Sequence, residues 1–393
     1  MIISLRLKNF YSLRDDAVLD FTADLSSKKR RCALPENLID YADDKFVNII
    51  GLFGSNAAGK SNMIKAIDFC RNLVLNSHLN NEGDAFEYSP FKFDVNQPSE
   101  FYIDFVTEGV EYEYSFEILD GRIISENLFH YPNKRKAKVF SREKNGSYYY
   151  GKGAVPRAKE VEANTGPKTL FVSRASSMNR AIAQAVYRFF LNEMIIGIGD
   201  INFATLSQDR FESEKSTLLR AFEVSDSDII DIRLVESAPG KSVLLSYHKE
   251  NPEIPFNFEK EESDGTKRLL YILLLLLDKL RAGATVILDE FDLKLHLRLA
   301  EFLLDVVRAS RCSQLVFTSH NPYLMNVGKL RLEQIVIVNK DSTGNSEFTP
   351  LSDFTGLNYD TDVMKGYLQG RYDGVPYVGN ADDVIEKYLS DGR

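Results

Sequence analysis

The chain has 393 residues, 44% of them hydrophobic and 27% charged, with a formal net charge of −9. That is enough apolar material for one large or two ordinary cores, and it excludes a disordered chain. The acidic balance also argues against a surface that grips nucleic acid throughout, so any such contact must be local. Cys32, Cys70 and Cys312 show no metal-ligand spacing and cannot all pair within one chain, which points to a reduced, cytoplasmic protein. The first residues lack the apolar core of a secretory signal. The most apolar stretch, 269–277, is interrupted by Asp278 and Lys279 and falls short of the ~20 residues a membrane helix needs.

Residues 2–7 and 17–21 alternate as strands. Residues 46–53, rich in β-branched and apolar side chains, read as one buried strand running into a glycine-bearing turn at 54–59. A helix follows, with Met63, Ile67, Cys70 and Val74 on one face. From 100 to 129 the pattern is that of meandering antiparallel strands, and 139–150 adds a hairpin around Asn145-Gly146. Residues 151–168 read as a polar loop, 178–196 as a helix, and 218–258 as a helix followed by strands. The last part alternates: helix 264–280, strand 284–289, helix 295–309, strand 314–318, then a hairpin-like pair at 334–339 and 347–351. That rhythm implies a parallel sheet with crossover helices. No internal repeat, low-complexity tract or sustained heptad pattern is present.

Gly54-Ser55-Asn56-Ala57-Ala58-Gly59-Lys60-Ser61 fits the phosphate-binding pattern G-x-x-x-x-G-K-[ST]. Phosphate oxygens need several N–H donors converging on one point, and a glycine-bearing loop at a helix start supplies them. Lys60 is expected to neutralise the β- and γ-phosphates of ATP, and Ser61 to hold Mg²⁺ through its hydroxyl. The apolar strand Val286-Ile287-Leu288 ends in Asp289 and Glu290. Asp289 stands where a Walker B aspartate supports Mg²⁺, and Glu290 where a general base polarises water. Ser263-Asp264-Gly265 opens the apolar helix about 25 residues earlier, where Ser263 is a good N-cap. His320 follows the strand after Walker B.

These four motifs, in this order, resemble those of the ABC-type ATPases of the SMC, RecF and OLD group. Asn56 inside the phosphate loop suits that group, and Leu5-Arg6-Leu7-Lys8-Asn9-Phe10-Tyr11-Ser12 is similar to its "L-x-x-F-x-S" opening. Ser89-Pro90-Phe91-Lys92-Phe93, the strands bearing Tyr112-Glu113-Tyr114 and Glu126-Asn127-Leu128, the stretch from Asp289 to His296, and Tyr367-Leu368-Gln369-Gly370-Arg371-Tyr372 narrow the resemblance. They are similar to segments of stand-alone OLD-like ATPases of bacterial abortive-infection and anti-phage systems, of the PARIS and RloA types.

The resemblance implies an α/β ABC-type ATPase head with a mainly parallel central sheet, an antiparallel β subdomain and a helical insertion. It implies a single unit with lobes at 1–85, 86–260 and 261–393. It also implies that Ser263 and Gly265 form a signature motif meeting the γ-phosphate held by a second copy. His320 becomes the switch histidine and, with Glu290, the catalytic pair. The expected partners are a second copy, or a higher homo-oligomer, with ATP at the interface, and a separately encoded effector such as a nuclease or other toxin. The alternative is a DNA-repair or chromosome ATPase that clamps DNA on binding ATP, with nucleic acid reached through Lys28-Lys29-Arg30-Arg31 and Lys134-Arg135-Lys136-Ala137-Lys138. Three departures stand out. His296 replaces the usual D-loop aspartate. Only Gln97, unmarked by its surroundings, falls where a Q-loop glutamine is expected. The tail after His320 is too short for a nuclease domain, and Asp360-Thr361-Asp362 reads as a solvated loop or helix cap.

Overall fold

The structure, a computed structural model, describes residues 1–81, 83–84, 86–197, 208–225, 227–238, 241–280, 282–376 and 385. Two sheets dominate. The first has seven strands in the order Tyr148–Tyr150, Ala137–Arg142, Arg122–His130, Val110–Leu119, Ser99–Thr107, Ile2–Lys8, Ala17–Asp20, every neighbouring pair antiparallel. The second has six, in the order Met194–Gly197, Thr285–Leu288, Gln314–Ser319, Ile49–Phe53, Ile335–Lys340, Ser346–Pro350. Its first five strands run parallel and the last closes an antiparallel hairpin. A smaller three-stranded sheet, Ile229–Ala238, Lys241–His248 and Phe256–Asn257, follows the helix Gln208–Val224.

Side chains alternate across a strand, so one strand can serve two cores. Ile50 and Leu52 face the core shared with the seven-stranded sheet, where Met63, Ile64, Ile67, Cys70 and Val74 of the helix Lys60–Asn76 pack against Leu5, Leu7, Phe101 and Phe105. Ile49 and Phe53 face the other way, into a second core with the helices Asp264–Leu280 and Leu297–Ser310. The fold is thus α/β, with a largely parallel central sheet, an antiparallel β region and inserted helices, as expected from the sequence. The three cysteines are free. Among the described residues, no helix is long and apolar enough to cross a membrane.

Three expectations from the sequence need correction. The single strand expected over 46–53 is two strands, Asp44–Val47 and Ile49–Phe53, lying in different sheets. The pivot is buried Asn48. Its N–H donates to Asn37 O, its carbonyl accepts from Leu315 N, and its side chain bonds Glu36 and Gln334. The polar loop expected over 151–168 contains a short helix, Ala158–Ala163, made of helix-favouring residues and anchored by fully buried Val161. The helix expected over 178–196 stops early. Ala181–Arg188 is α-helical, a π-turn follows at Phe189–Glu193, and Met194–Gly197 becomes the edge strand beside Thr285–Leu288. β-branched Ile195 and Ile196 suit that strand better than a helix end. An additional helix, Phe171–Ser177, precedes this region.

Candidate functional site

The carboxyl ends of three adjacent parallel strands build the site. Ile49–Phe53 leads into the loop 54–59, Thr285–Leu288 into Asp289 and Glu290, and Gln314–Ser319 into His320. Ligands of open parallel sheets bind at this edge. Ala57 takes φ +63° and Gly59 φ +114° as the loop turns into the helix, whose start carries no side-chain cap. A helix start without a protein cap is a ready anion site. Asn56 and Ala57 are exposed on the rim, whereas Ala58, Gly59 and Lys60 are buried.

Lys60 Nζ donates to Gly54 O and Ser55 O, both at 2.9 Å, and lies 3.3 Å from His320 Nδ1. Burial lowers its ammonium to about 8, an effect that Asp289 and Glu290 partly oppose. His320 is held below its ordinary value, by burial first and by Lys60 second, while Glu290 and Asp292 pull the other way. It is therefore neutral at pH 7 and able to accept or donate.

Ser61 Oγ donates to Asp289 Oδ1 at 3.1 Å. The same oxygen accepts from Thr318 Oγ1 at 2.5 Å, and Thr318 Oγ1 in turn accepts from Glu290 N at 2.8 Å. One threonine thus holds both the Asp289 carboxylate and the Glu290 main chain. Its place follows from register: Leu288 pairs with Phe317, which sets Thr318 beside Asp289. Nothing in the sequence alone singles out Thr318. Glu290 is exposed and sits at φ +48°, a conformation that costs a non-glycine residue energy and is held here by its neighbours. A cleft of about 370 Å³, lined by Glu290, Asp292, Leu293, Lys294, His320 and Asn321, opens in front of these groups.

Ser61 and Asp289 form a hard-oxygen pair suited to Mg²⁺, which takes one or two protein oxygens and completes its shell with phosphates and water. Among the described residues no group of three or more His, Cys, Asp or Glu forms a metal cage. A nucleotide-bound Mg²⁺ needs none.

Ser263 and Gly265 stand at the start of the helix Asp264–Leu280. The Ser263 hydroxyl caps its own helix, accepting from Thr266 N at 3.1 Å and meeting Thr266 Oγ1 at 2.8 Å. Gly265 passes close to the Walker B loop: a Cβ there would come 2.9 Å from Lys294 O. Asp264 pairs with Lys267 at 2.9 Å and Lys294 at 3.0 Å. The link from this helix to Walker B is Arg268, which sequence reading missed. Its Nη2 donates to Asp289 O at 3.2 Å and Glu290 O at 3.0 Å. His296 caps the helix Leu297–Ser310, its Nδ1 accepting from Arg298 N. Gln97 is exposed in a loop, where its carbonyl receives Asn9 Nδ2. Asp362 caps the helix Val363–Leu368 through Lys365 N, in keeping with the cap expected there.

A parallel-sheet edge carrying a phosphate loop beside paired acids defines a P-loop protein with the fold of an ABC-type ATPase head. In sequence, residues 49–326, well over half of the chain, match the family described as "AAA domain, putative AbiEii toxin, Type IV TA system". The chain belongs to that family. No curated protein matches it in sequence. Among solved structures, an SMC head bound to the C-winged helix domain of ScpA is similar at TM-score 0.50 and 14% identity, covering 88% of this chain and 97% of that one. The SMC head domain from Thermotoga maritima gives TM-score 0.45 and 14% identity over 89% and 98%. The Smc head domain of Pyrococcus furiosus with an extended coiled coil, bound to the C-terminal domain of ScpA, gives 0.46 and 14% over 94% and 99%. At such identity, the likeness speaks to the fold alone.

Proposed function

We propose that the chain binds ATP with Mg²⁺ and hydrolyses it to ADP and phosphate, acting as the nucleotide-driven sensor and regulatory subunit of a bacterial anti-phage system. The observation that carries the catalytic part is the convergence of Lys60, Ser61, Asp289, Thr318 and His320 at one sheet edge. Lys60 leaves the loop carbonyls and His320 to neutralise the β- and γ-phosphates. Mg²⁺, when bound through Ser61 and Asp289, adds positive charge where negative charge builds up. Glu290 takes the proton of the attacking water, and the water oxygen bonds the γ-phosphorus as ADP leaves. His320, neutral and freed from Lys60, hydrogen-bonds the γ-phosphate.

The regulatory part rests on the OLD-like motifs and on a family description that names a toxin system. By the resemblance to ABC-type signature motifs, we assign Ser263 and Gly265 to a second copy's γ-phosphate. A separately encoded effector is the client of that switch. The DNA-clamp reading gains little from the lysine run at 134–138. Lys134 pairs with Asp43, Lys136 with Glu113, and Lys138 donates to Ser141 Oγ.

Steady-state hydrolysis and calorimetry test the site. Lys60→Ala is expected to lose ATP binding. Glu290→Gln is expected to bind ATP yet turn over ~10²–10⁴-fold more slowly, the usual contribution of a general base. Unchanged affinity in the first variant or unchanged turnover in the second sinks the corresponding assignment. Co-purification of the neighbouring gene product, released on ATP hydrolysis or phage challenge, tests the regulatory role.

A further inference from the structure

We infer that Ser346 and Ser12 are positioning residues for the phosphate loop: their hydroxyls pin one loop carbonyl inward and so turn the adjacent amide toward the triphosphate. The inference deepens the ATP-site reading above and rests on it. Ser346 opens the last strand of the parallel sheet's hairpin, and Ser12 follows the first strand of the chain; both are buried. Ser346 Oγ lies 2.6 Å from Ala58 O and 2.7 Å from Ser12 Oγ, and Asn62 Nδ2 lies 2.7 Å from Ser12 Oγ. The main chain holds the two serines together, with Ser346 N donating to Ser12 O at 2.8 Å.

The direction of this relay is determined. A carbonyl only accepts, so Ser346 places its one hydroxyl proton on Ala58 O. The contact between the serines must then be donated by Ser12, whose own oxygen accepts from Asn62. The relay runs Asn62, Ser12, Ser346, Ala58. It starts on the first turn of the phosphate-loop helix and returns to Ala58, the residue before that helix's N-cap.

Ala58 C=O and Gly59 N–H belong to one planar trans peptide and point to opposite sides. With the carbonyl fixed into the protein, the Gly59 amide faces the outer side of the loop, where exposed Asn56 and Ala57 mark the solvent and an anion approaches the helix start. Gly59 itself makes room for the relay. A Cβ at that position would stand 2.0 Å from Ser346 Oγ and 2.8 Å from Ser12 Oγ.

Ser346→Ala leaves Ala58 O without its donor and frees that peptide to rotate. Affinity for a non-hydrolysable ATP analogue, measured by calorimetry, is expected to fall about tenfold, equal to ~1.4 kcal/mol. KM for ATP rises in parallel, and kcat at saturating ATP stays within about twofold, the pattern of lost ground-state binding. Ser12→Ala is expected to show a smaller loss, and Ser12→Thr, which keeps the hydroxyl, to restore wild-type affinity. Glu347→Ala, the exposed neighbour, is expected to change nothing. A lower melting temperature with unaltered affinity in Ser346→Ala and Ser12→Ala overturns the inference, as does a fall in kcat with KM unchanged. If Ser346→Ala does not fold, the Ser12→Ala and Ser12→Thr pair decides. Wild-type protein that binds no analogue sinks the ATP-site reading itself and the relay with it. That result is distinct from normal wild-type binding with indifferent variants.

Discussion

Lys60 donates to two loop carbonyls and faces His320, and burial brings its ammonium down to about 8. A triphosphate beside it restores the charged form, so above pH 8 the bound protein holds a proton that the unbound protein has lost. ATP affinity is therefore expected to be flat below about pH 8 and to fall above it, by up to ~10-fold per pH unit. Calorimetry from pH 7 to 9.5, in buffers of different ionisation enthalpy, reads this as proton uptake. Constant affinity through pH 9 argues against Lys60 as the phosphate ligand. Asp104 makes stability, rather than affinity, depend on pH. Burial, then Glu111 and Glu113, raise it to about 7, and its buried Oδ1 has no hydrogen-bond partner. The folded chain therefore binds more protons here than the unfolded chain between the ordinary carboxyl range and pH 7. The stability this gives is present in acid and lost as pH rises through 7. Asp104→Asn is expected to raise the melting temperature at pH 8 by a few degrees and to have a smaller effect at pH 5. Equal shifts at both pH values would count against a titrating Asp104.

The helix Asp264–Leu280 illustrates how one element serves two purposes. Its first turn presents Ser263 and Gly265, and one turn later Arg268 holds the carbonyls of Asp289 and Glu290. Arg268 thus ties the end that carries Ser263 to the strained backbone of Glu290, the proposed general base. Arg268→Met keeps the packing stem and removes the donors. It is expected to leave ATP affinity within about twofold and to lower kcat roughly tenfold or more, the mark of an interaction needed in the transition state. A variant that loses affinity but keeps kcat refutes that coupling. Elements of this kind were legible where the signal was local. The loop 54–61, the acids after Val286-Ile287-Leu288, the cap at Ser263 and the alternating strands from 100 to 129 all announce themselves within a few residues. What escaped depends on distant pairing. Asn48 breaks a continuous apolar run because residues 36, 37, 315 and 334 receive its polar groups. Met194–Gly197 is a strand because Thr285–Leu288 lies beside it. Ser346 reaches Ala58 across 288 positions, and no window along the chain shows it.

On the scale of the whole molecule, the proposal that Ser263 and Gly265 meet a nucleotide held by a second copy calls for a closed two-fold pair with two equivalent sites. Ser263→Arg is expected to preserve ATP binding and abolish hydrolysis. Mixed with Lys60→Ala, it is expected to regain partial activity, because a mixed pair carries one intact loop opposite one intact Ser263. Full activity of Ser263→Arg alone ends the assignment in trans. The sheet order has a further consequence, for how the chain is made. The strand bearing the phosphate loop comes early, yet both its neighbours, Gln314–Ser319 and Ile335–Lys340, come late. Gln314 binds Ile2 N at 2.7 Å and Ile2 O at 2.8 Å, 312 residues apart, and also receives Thr285 Oγ1. During translation the apolar strand 49–53 therefore waits without a sheet partner until most of the chain has left the ribosome. At about 5–20 residues per second, that wait lasts some tens of seconds. For that interval the edge that becomes the candidate site is an unpaired greasy strand, and a chain cut short before residue 314 lacks both of its neighbours.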